Sequence, residues 1–257
     1  MNEDLIFCQI SDPHFMNKGE KIFNQIETYS QFIKVIEYCK NLNPNPDFFI
    51  MSGDLIHDNP IYYHEYIKLC NQLNKPYYLM MGNHDLRKNL KDHIVKKELI
   101  DSSGFINFTI NHNSLKIICL DTAIEGSIEG ELSKTSLNWL EGELKKDLDK
   151  NTIIFMHHPP IKIGSILFDD IICKNGNIFL SLIKKHENVS KIIFGHVHCT
   201  YSHNLENLAL ISCPSSSFQF PIDAKTTENL LLDTKTYIQL FNWKNNKNLT
   251  NKIIEIE

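Results

Sequence analysis

No stretch of this sequence approaches the about 18 uninterrupted apolar residues of a membrane-spanning helix, so no membrane partner is expected. There is no basic excess either: 26 Lys and Arg stand against 31 Asp and Glu, a net charge of −5. Without a basic stripe the chain lacks the electrostatic footprint for gripping a nucleic-acid backbone, which leaves small anions in local pockets as partners. The basic start and longer apolar core of a secretion signal are missing, since two acids precede a first apolar run of only Leu5–Ile10. The seven cysteines are odd in number and scattered without CxxC spacing. Reduced, buried thiols in a cytoplasmic protein are therefore expected. No internal repeat is visible. What is there is ordinary globular composition, 42% apolar and 22% charged, which excludes disorder, collagen and coiled coil as overall descriptions.

Short apolar runs alternate with amphipathic segments. Leu5–Ile10 reads as a strand, and Ile22–Leu42 follows with apolar residues at helical spacing. The prolines of Asn41–Asp47 end that helix. Asp47–Ser52 and Pro76–Met81 are further apolar strands, separated by a helix opened by Pro60. A polar helix is expected near Lys88–Ser102, then a hairpin of Phe105–Ile110 and Leu115–Leu120 about Asn111–Ser114. Ser133 caps a helix carrying Leu137, Leu140, Leu144 and Leu148. Strand Thr152–Met156, helix Ile178–His186, strand Lys191–Phe194 and a β-rich tail from Leu208 to about Trp243 complete the pattern. The Asn/Lys-rich stretch Lys244–Lys252 reads as surface loop or terminal strand. Strands apolar throughout imply a sheet buried on both faces, and the hairpin and tail imply a second. The expected fold is α/β, a four-layer αββα sandwich of two mixed β-sheets flanked by helices, in one domain over residues 1–257 with its β-rich part at about 205–257.

Five apolar runs end in the same kind of chemistry. Leu5–Ile10 ends in Asp12 and His14, and the second strand ends in Gly53-Asp54. The third ends in Gly82-Asn83-His84-Asp85, Thr152–Met156 in His157-His158, and Lys191–Phe194 in Gly195-His196-Val197-His198. Sites in α/β sheets form at the carboxyl ends of strands. Carboxylate, imidazole and carboxamide groups gathered there compose a metal site. On extended backbone the i, i+2 pairs Asp12/His14 and His196/His198 would each point one way. Two carboxylates against two divalent ions leave a positive site suited to phosphate.

The set D-x-H, GD, GNHD, H and GHxH, in this order over residues 12 to 198, resembles the calcineurin-like metallophosphoesterase superfamily. The resemblance implies two divalent metal ions (Mn, Fe, Zn or Co), one held by Asp12, His14, Asp54 and His198. Asp54, Asn83, His157 and His196 would hold the other, with Asp54 and a hydroxide bridging. Gly130-Glu131-Leu132, Leu137-Asn138-Trp139-Leu140, Met156–Pro160, Cys213–Ser217 and Gln219 resemble the class III cyclic-nucleotide phosphodiesterases. The activity implied is hydrolysis of a small phosphodiester such as 3′,5′-cAMP, by in-line attack of the bridging hydroxide. His84 is the expected catalytic acid, oriented by Asp85. Asn83 and His84 are expected at the substrate, and Arg87 either at its phosphate or in a structural ion pair. His57 is placed at the entrance, His158 beside the ligands, and the many Tyr and Phe in the core. Phosphomonoesterase, another phosphodiesterase or pyrophosphatase, and a non-catalytic scaffold stay as alternatives, and oligomeric state stays open.

Overall fold

The computed structural model describes residues 4–94, 96–226, 232–244 and 248–257. Two sheets form the centre. The first has strand order β11-β10-β1-β2-β3, with β1 (Leu5–Ile10), β2 (Phe48–Met51), β3 (Tyr77–Leu79), β10 (Thr236–Lys244) and β11 (Asn248–Ile256). The second runs β4-β5-β6-β7-β9-β8, with β4 (Phe108–His112), β5 (Leu115–Leu120), β6 (Asn151–Met156), β7 (Val189–Phe194), β8 (Ser202–Leu205) and β9 (Leu208–Ser212). In each sheet the central strands are parallel, β1 to β3 in one and β5, β6, β7 and β9 in the other. Antiparallel partners close three of the four edges, and β3, parallel to β2, forms the other. Helices flank both sheets, giving the α/β sandwich of two mixed sheets that the periodicity implied.

The period-2 alternation of strands assigns residues to layers. In β5 and β6, Ile117, Cys119, Ile153 and Phe155 belong to the core cluster that also holds Phe7, Ile50 and Phe241 of the first sheet. Their neighbours Ile118, Leu120, Ile154 and Met156 face the other way, onto Leu140 and Leu144 of α4 (Lys134–Leu144) and Phe179 of α5 (Gly176–Ile183). Phe7 meets Phe155 edge-on at 6.3 Å and stacks on Phe241 at 4.7 Å, so aromatic rings fill the space between the sheets. On the first sheet, α1 (Thr28–Lys40) and α2 (Tyr62–Cys70) meet through Phe32 and Tyr66, stacked at 4.8 Å.

Several expected boundaries move. Helix α1 begins at Thr28, not Ile22, because Ile22 to Ile26 closes a tight turn with Phe23 and Asn24 at positive φ. Its spacing is helical in the sequence, yet Ile22 and Ile26 are buried against Phe218 rather than the sheet. The polar helix near Lys88–Ser102 shrinks to α3 (Arg87–Asp92) and a 3-10 turn at Lys97–Leu99, since few of its residues offer an apolar face. Ser133 does cap α4, accepting from the Ser136 amide, but Leu148 lies beyond its end and is exposed. The tail carries β8 in addition, and most of the Asn/Lys-rich stretch is strand β11. Residues 1–3, 95, 227–231 and 245–247 of the segments read above lie outside the described residues. Among the described residues no helix is long and apolar enough to cross a membrane. All seven cysteines are buried free thiols.

Candidate metal centre

The parallel strands β1, β2, β3, β6 and β7 all point their carboxyl ends to one edge of the sandwich, and the polar residues that follow them meet there. Three groups of ligand atoms each converge within 4.8 Å: Asp12, His14, Asp54 and His198; Asp54, His157 and His196; and His14, His57 and His84. Asp54 belongs to the first two. His14 Nε2 lies 3.0 Å from His198 Nε2 and 3.5 Å from Asp54 Oδ2. His157 Nε2 lies 3.2 Å from Asp54 Oδ2, and the Asn83 oxygen 3.0 Å from His196 Nδ1. Asp12, His14, Asp54, His157, His196 and His198 are all buried.

This backbone is not extended, contrary to the i, i+2 expectation. Asp12, His14, Asp54, His196 and His198 all have φ between 43° and 67°. Left-handed conformations are uncommon for such residues and persist where the surroundings over-determine them. The surroundings here are polar. Ser215 and Ser217 hydroxyls donate to the Asp12 carbonyl at 2.7 and 2.9 Å, and Ser216 to that of Ser11 at 2.9 Å. The His196 amide donates to the Asp12 carboxylate at 3.0 Å. A buried chain runs from Gln9 Nε2 to Ser52 (2.9 Å), from Ser52 to Ser11 (2.8 Å) and from Ser11 to Asp12. Close approach also demands glycine. A Cβ on Gly195 would sit 2.3 Å from Ser11 Oγ, and one on Gly53 2.4 Å from His157 Nδ1.

The donor set fits cations. His157 Nδ1 pairs with the Ser52 carbonyl at 2.9 Å and His198 Nδ1 with the Phe218 carbonyl at 2.9 Å. Each pairing fixes a proton on Nδ1 and aims Nε2 inward, where it can give its lone pair to a cation. His157 Nε2 is buried with no hydrogen-bond partner, as is His196 Nε2. Buried imidazole nitrogens without a hydrogen-bond partner, converging on carboxylates, are costly unless an ion completes them.

Electrostatics follow from burial and crowding. Burial alone would raise the Asp54 carboxyl, but His157, His84 and His14 outweigh it and hold it well below its usual range. Burial opposes a proton on His157, yet Asp54 and Asp12 bring it up to about 9. Burial and the nearby His157 push His196 down to about 3. For His84, burial is outweighed by Asp54 and Asp58, which raise the ring to about 9.

His84 stands at the rim, its amide donating to Asp54 Oδ1 at 2.9 Å. Its ring is not held by Asp85, as the sequence suggested. His84 Nδ1 pairs with Asp58 at 2.8 Å. Adjacent side chains diverge, and Asp85 turns inward to accept from Tyr63 Oη (2.9 Å), Gly82 N (3.0 Å) and Leu55 N (3.2 Å). Burial and the Asp54 charge push the Asp85 carboxyl up to about 7. Asp58 was missed, although it lies four residues after Asp54. Arg87 is not brought to the cluster: its guanidinium bonds Asp121 at 2.7 and 3.0 Å and the Ala123 carbonyl at 2.6 Å. His57 does line the entrance, 3.3 Å from His14 Nδ1 and stacked on His84 at 4.9 Å. His158 is wholly buried, paired with Thr122 at 2.8 Å and 4.6 Å from the His196 ring.

Residues 5–200 match the family model for calcineurin-like phosphoesterases. The chain is 31% identical over 252 residues to a probable glycerophosphodiester phosphodiesterase of Arcobacter nitrofigilis, covering 96% of this chain and 91% of that one. It is 29% identical over 233 residues to a 3′,5′-cyclic-nucleotide phosphodiesterase of Nostoc sp., covering 88% and 84%. A dimetal phosphatase from Danio rerio shares the fold with a TM-score of 0.70 at 13% identity, covering 98% and 99%.

Proposed function

The chain belongs to the calcineurin-like phosphoesterase family, a metal-dependent phosphoesterase family, and from that premise we propose that it hydrolyses small phosphodiesters, 3′,5′-cyclic nucleotides among them. The observation that carries the proposal is the pair of converging donor groups that share Asp54. Asp12, His14, Asp54 and His198 would hold one divalent cation, and Asp54, Asn83, His157 and His196 the other. Bound in such a pair, divalent cations supply a nucleophile from water at neutral pH and neutralise phosphoryl oxygens.

The chain's own groups do the rest. The serine contacts and Gly195 fix Asp12 against His196 and so preorganise the ligands. Asp58 holds His84 by Nδ1, leaving Nε2 to deliver a proton to the departing alkoxide. Asp85 is the strut beneath this turn, tying Gly82, Leu55 and Tyr63 together. It supports His84 through the backbone rather than through its ring.

A glycerophosphodiester is the second reading, supported by the 31% identity to the Arcobacter nitrofigilis relative. The test is kcat/KM of the Mn²⁺-loaded protein on 3′,5′-cAMP, bis(p-nitrophenyl) phosphate, glycerophosphoethanolamine and p-nitrophenyl phosphate, before and after chelation. Diesters should win and chelation should abolish turnover. A tenfold preference for the monoester, about 1.4 kcal/mol of transition-state binding, would replace diester hydrolysis by monoester hydrolysis.

A further inference from the structure

A cavity of about 350 Å³, within the range of small-ligand pockets, opens above the metal centre. Besides residues of the metal centre such as Asp54, His196 and His198, its polar lining includes His57, Asp58 and His84. Its walls are Phe23, Phe168, Phe218 and Phe220 with Ile22, Ile128 and Ile171. None of its lining residues, among the described ones, is Lys or Arg.

Phe23 is the unexpected wall. Most aromatic residues here are core, but its side chain is 57% exposed. It occupies the first central position of the tight turn at φ +52°, followed by Asn24 at φ +57°. Positive φ at both positions suits Asn and Gly and disfavours a bulky ring. The turn is nonetheless rigidly seated. Ile22 and Ile26 are buried on either side and packed on Phe218, and their backbones exchange hydrogen bonds at 2.9 and 3.0 Å. The fold thus anchors both flanks and holds one aromatic ring out at the cavity mouth, in a conformation its own backbone resists.

The ring is part of a corner. Phe23 and Phe218 stand 6.0 Å apart at 86°, one presenting a face where the other presents an edge. Phe218 lies 4.6 Å from the His198 ring and 5.5 Å from that of His14, and its carbonyl fixes His198. The corner is therefore locked to the metal centre. A phosphodiester bound there places the substituent on that side against the exposed Phe23 ring, which the buried Phe218 backs, and against no Lys or Arg.

We propose that Phe23, backed by the buried Phe218, forms a specificity subsite for a planar, uncharged aromatic arm of the phosphodiester, of nucleobase type, with Phe23 the specificity-determining residue. This rests on the diester-hydrolase function proposed above and selects among its substrates. A flat ring gains dispersion and quadrupole contact across the whole Phe23 face, more than a narrow glycerol or ethanolamine arm can make there.

The test variant is Phe23→Asn, because Asn favours positive φ and leaves the turn intact. Its thermal unfolding should match or exceed the wild type. In the Mn²⁺-loaded full chain, kcat/KM for 3′,5′-cAMP divided by that for glycerophosphoethanolamine should fall about fivefold to a hundredfold, the range of base–aromatic stacking. Binding of 5′-AMP should weaken in the same proportion relative to glycerol 3-phosphate, and Phe23→Tyr should restore both ratios. Equal changes for both substrates and both ligands, or an unchanged ratio, would overturn the subsite while leaving diester hydrolysis standing. Absence of turnover on every diester by the metal-loaded wild type would overturn the function and the subsite together.

Discussion

Replacing Arg87 separates a structural ion pair from a substrate contact. Its guanidinium meets the Asp121 carboxylate through Nε at 2.7 Å and Nη2 at 3.0 Å, donates to the Ala123 carbonyl, and lies 4.9 Å over the Phe105 ring. The Asp121 side chain is fully buried and that of Arg87 13% exposed. In Arg87→Ala the carboxylate keeps only the Ile106 and Ala123 amides, at 3.2 and 3.1 Å. Removing one partner of a buried pair costs about 3–5 kcal/mol, and the partial exposure of Arg87 favours the lower end, about 3 kcal/mol. At roughly 2–4 °C per kcal/mol for a chain of this size, Tm should fall by about 6–12 °C. KM for a phosphodiester, measured well below the new Tm, should stay within twofold. Adding Asp121→Asn to Arg87→Ala should recover part of the stability, because the stranded charge is then gone. A tenfold rise in KM with Tm unchanged would refute this account and return Arg87 to the phosphate.

Asp54→Ala should lower metal stoichiometry by elemental analysis more than His198→Ala does, because Asp54 alone belongs to both donor groups; two tightly held ions in that variant would place the bridge elsewhere. His84→Ala should keep both ions and lose about 10²–10⁴ in kcat on 3′,5′-cAMP, with a smaller loss on bis(p-nitrophenyl) phosphate, whose leaving group needs little protonation. Equal losses on the two diesters would remove the proton-donor role. In the metal-free protein His157 is brought up to about 9, so at pH 7 it carries a proton that a metal must displace. Metal affinity should therefore rise as pH rises toward 9, about tenfold per unit if that proton alone is released. Calorimetry in buffers of different ionisation enthalpy measures the release, and affinity flat between pH 6 and 9 would contradict it.

The parallel strands and their polar ends were legible because each signal is local. A run such as Leu5–Ile10 or Thr152–Met156 needs no partner to be recognised, and the D-x-H, GD, GNHD and GHxH residues sit directly after such runs. Boundaries were less legible where tertiary packing overrides spacing. Ile22 and Ile26 fit a helix by period, but Phe218, nearly two hundred residues on, packs against them as a turn. The role of Ser215, Ser216 and Ser217 was equally hidden, since what they bond is the backbone of Ser11 and Asp12.

By itself the sequence determined the chemistry of the site: which donor types are present, and that they follow strands of an α/β sandwich. Residue type and position after a strand are properties of a few consecutive residues. Only the tertiary structure decided who partners whom. His84 went to Asp58 rather than Asp85, Arg87 to Asp121 rather than to the cavity, and Phe23 to the cavity mouth rather than to the core. Those pairings depend on side-chain direction at left-handed and tightly turned backbone. There neighbours in sequence diverge in space, and residues far apart in the chain are brought within 3 Å, as in His196 N to Asp12 Oδ1.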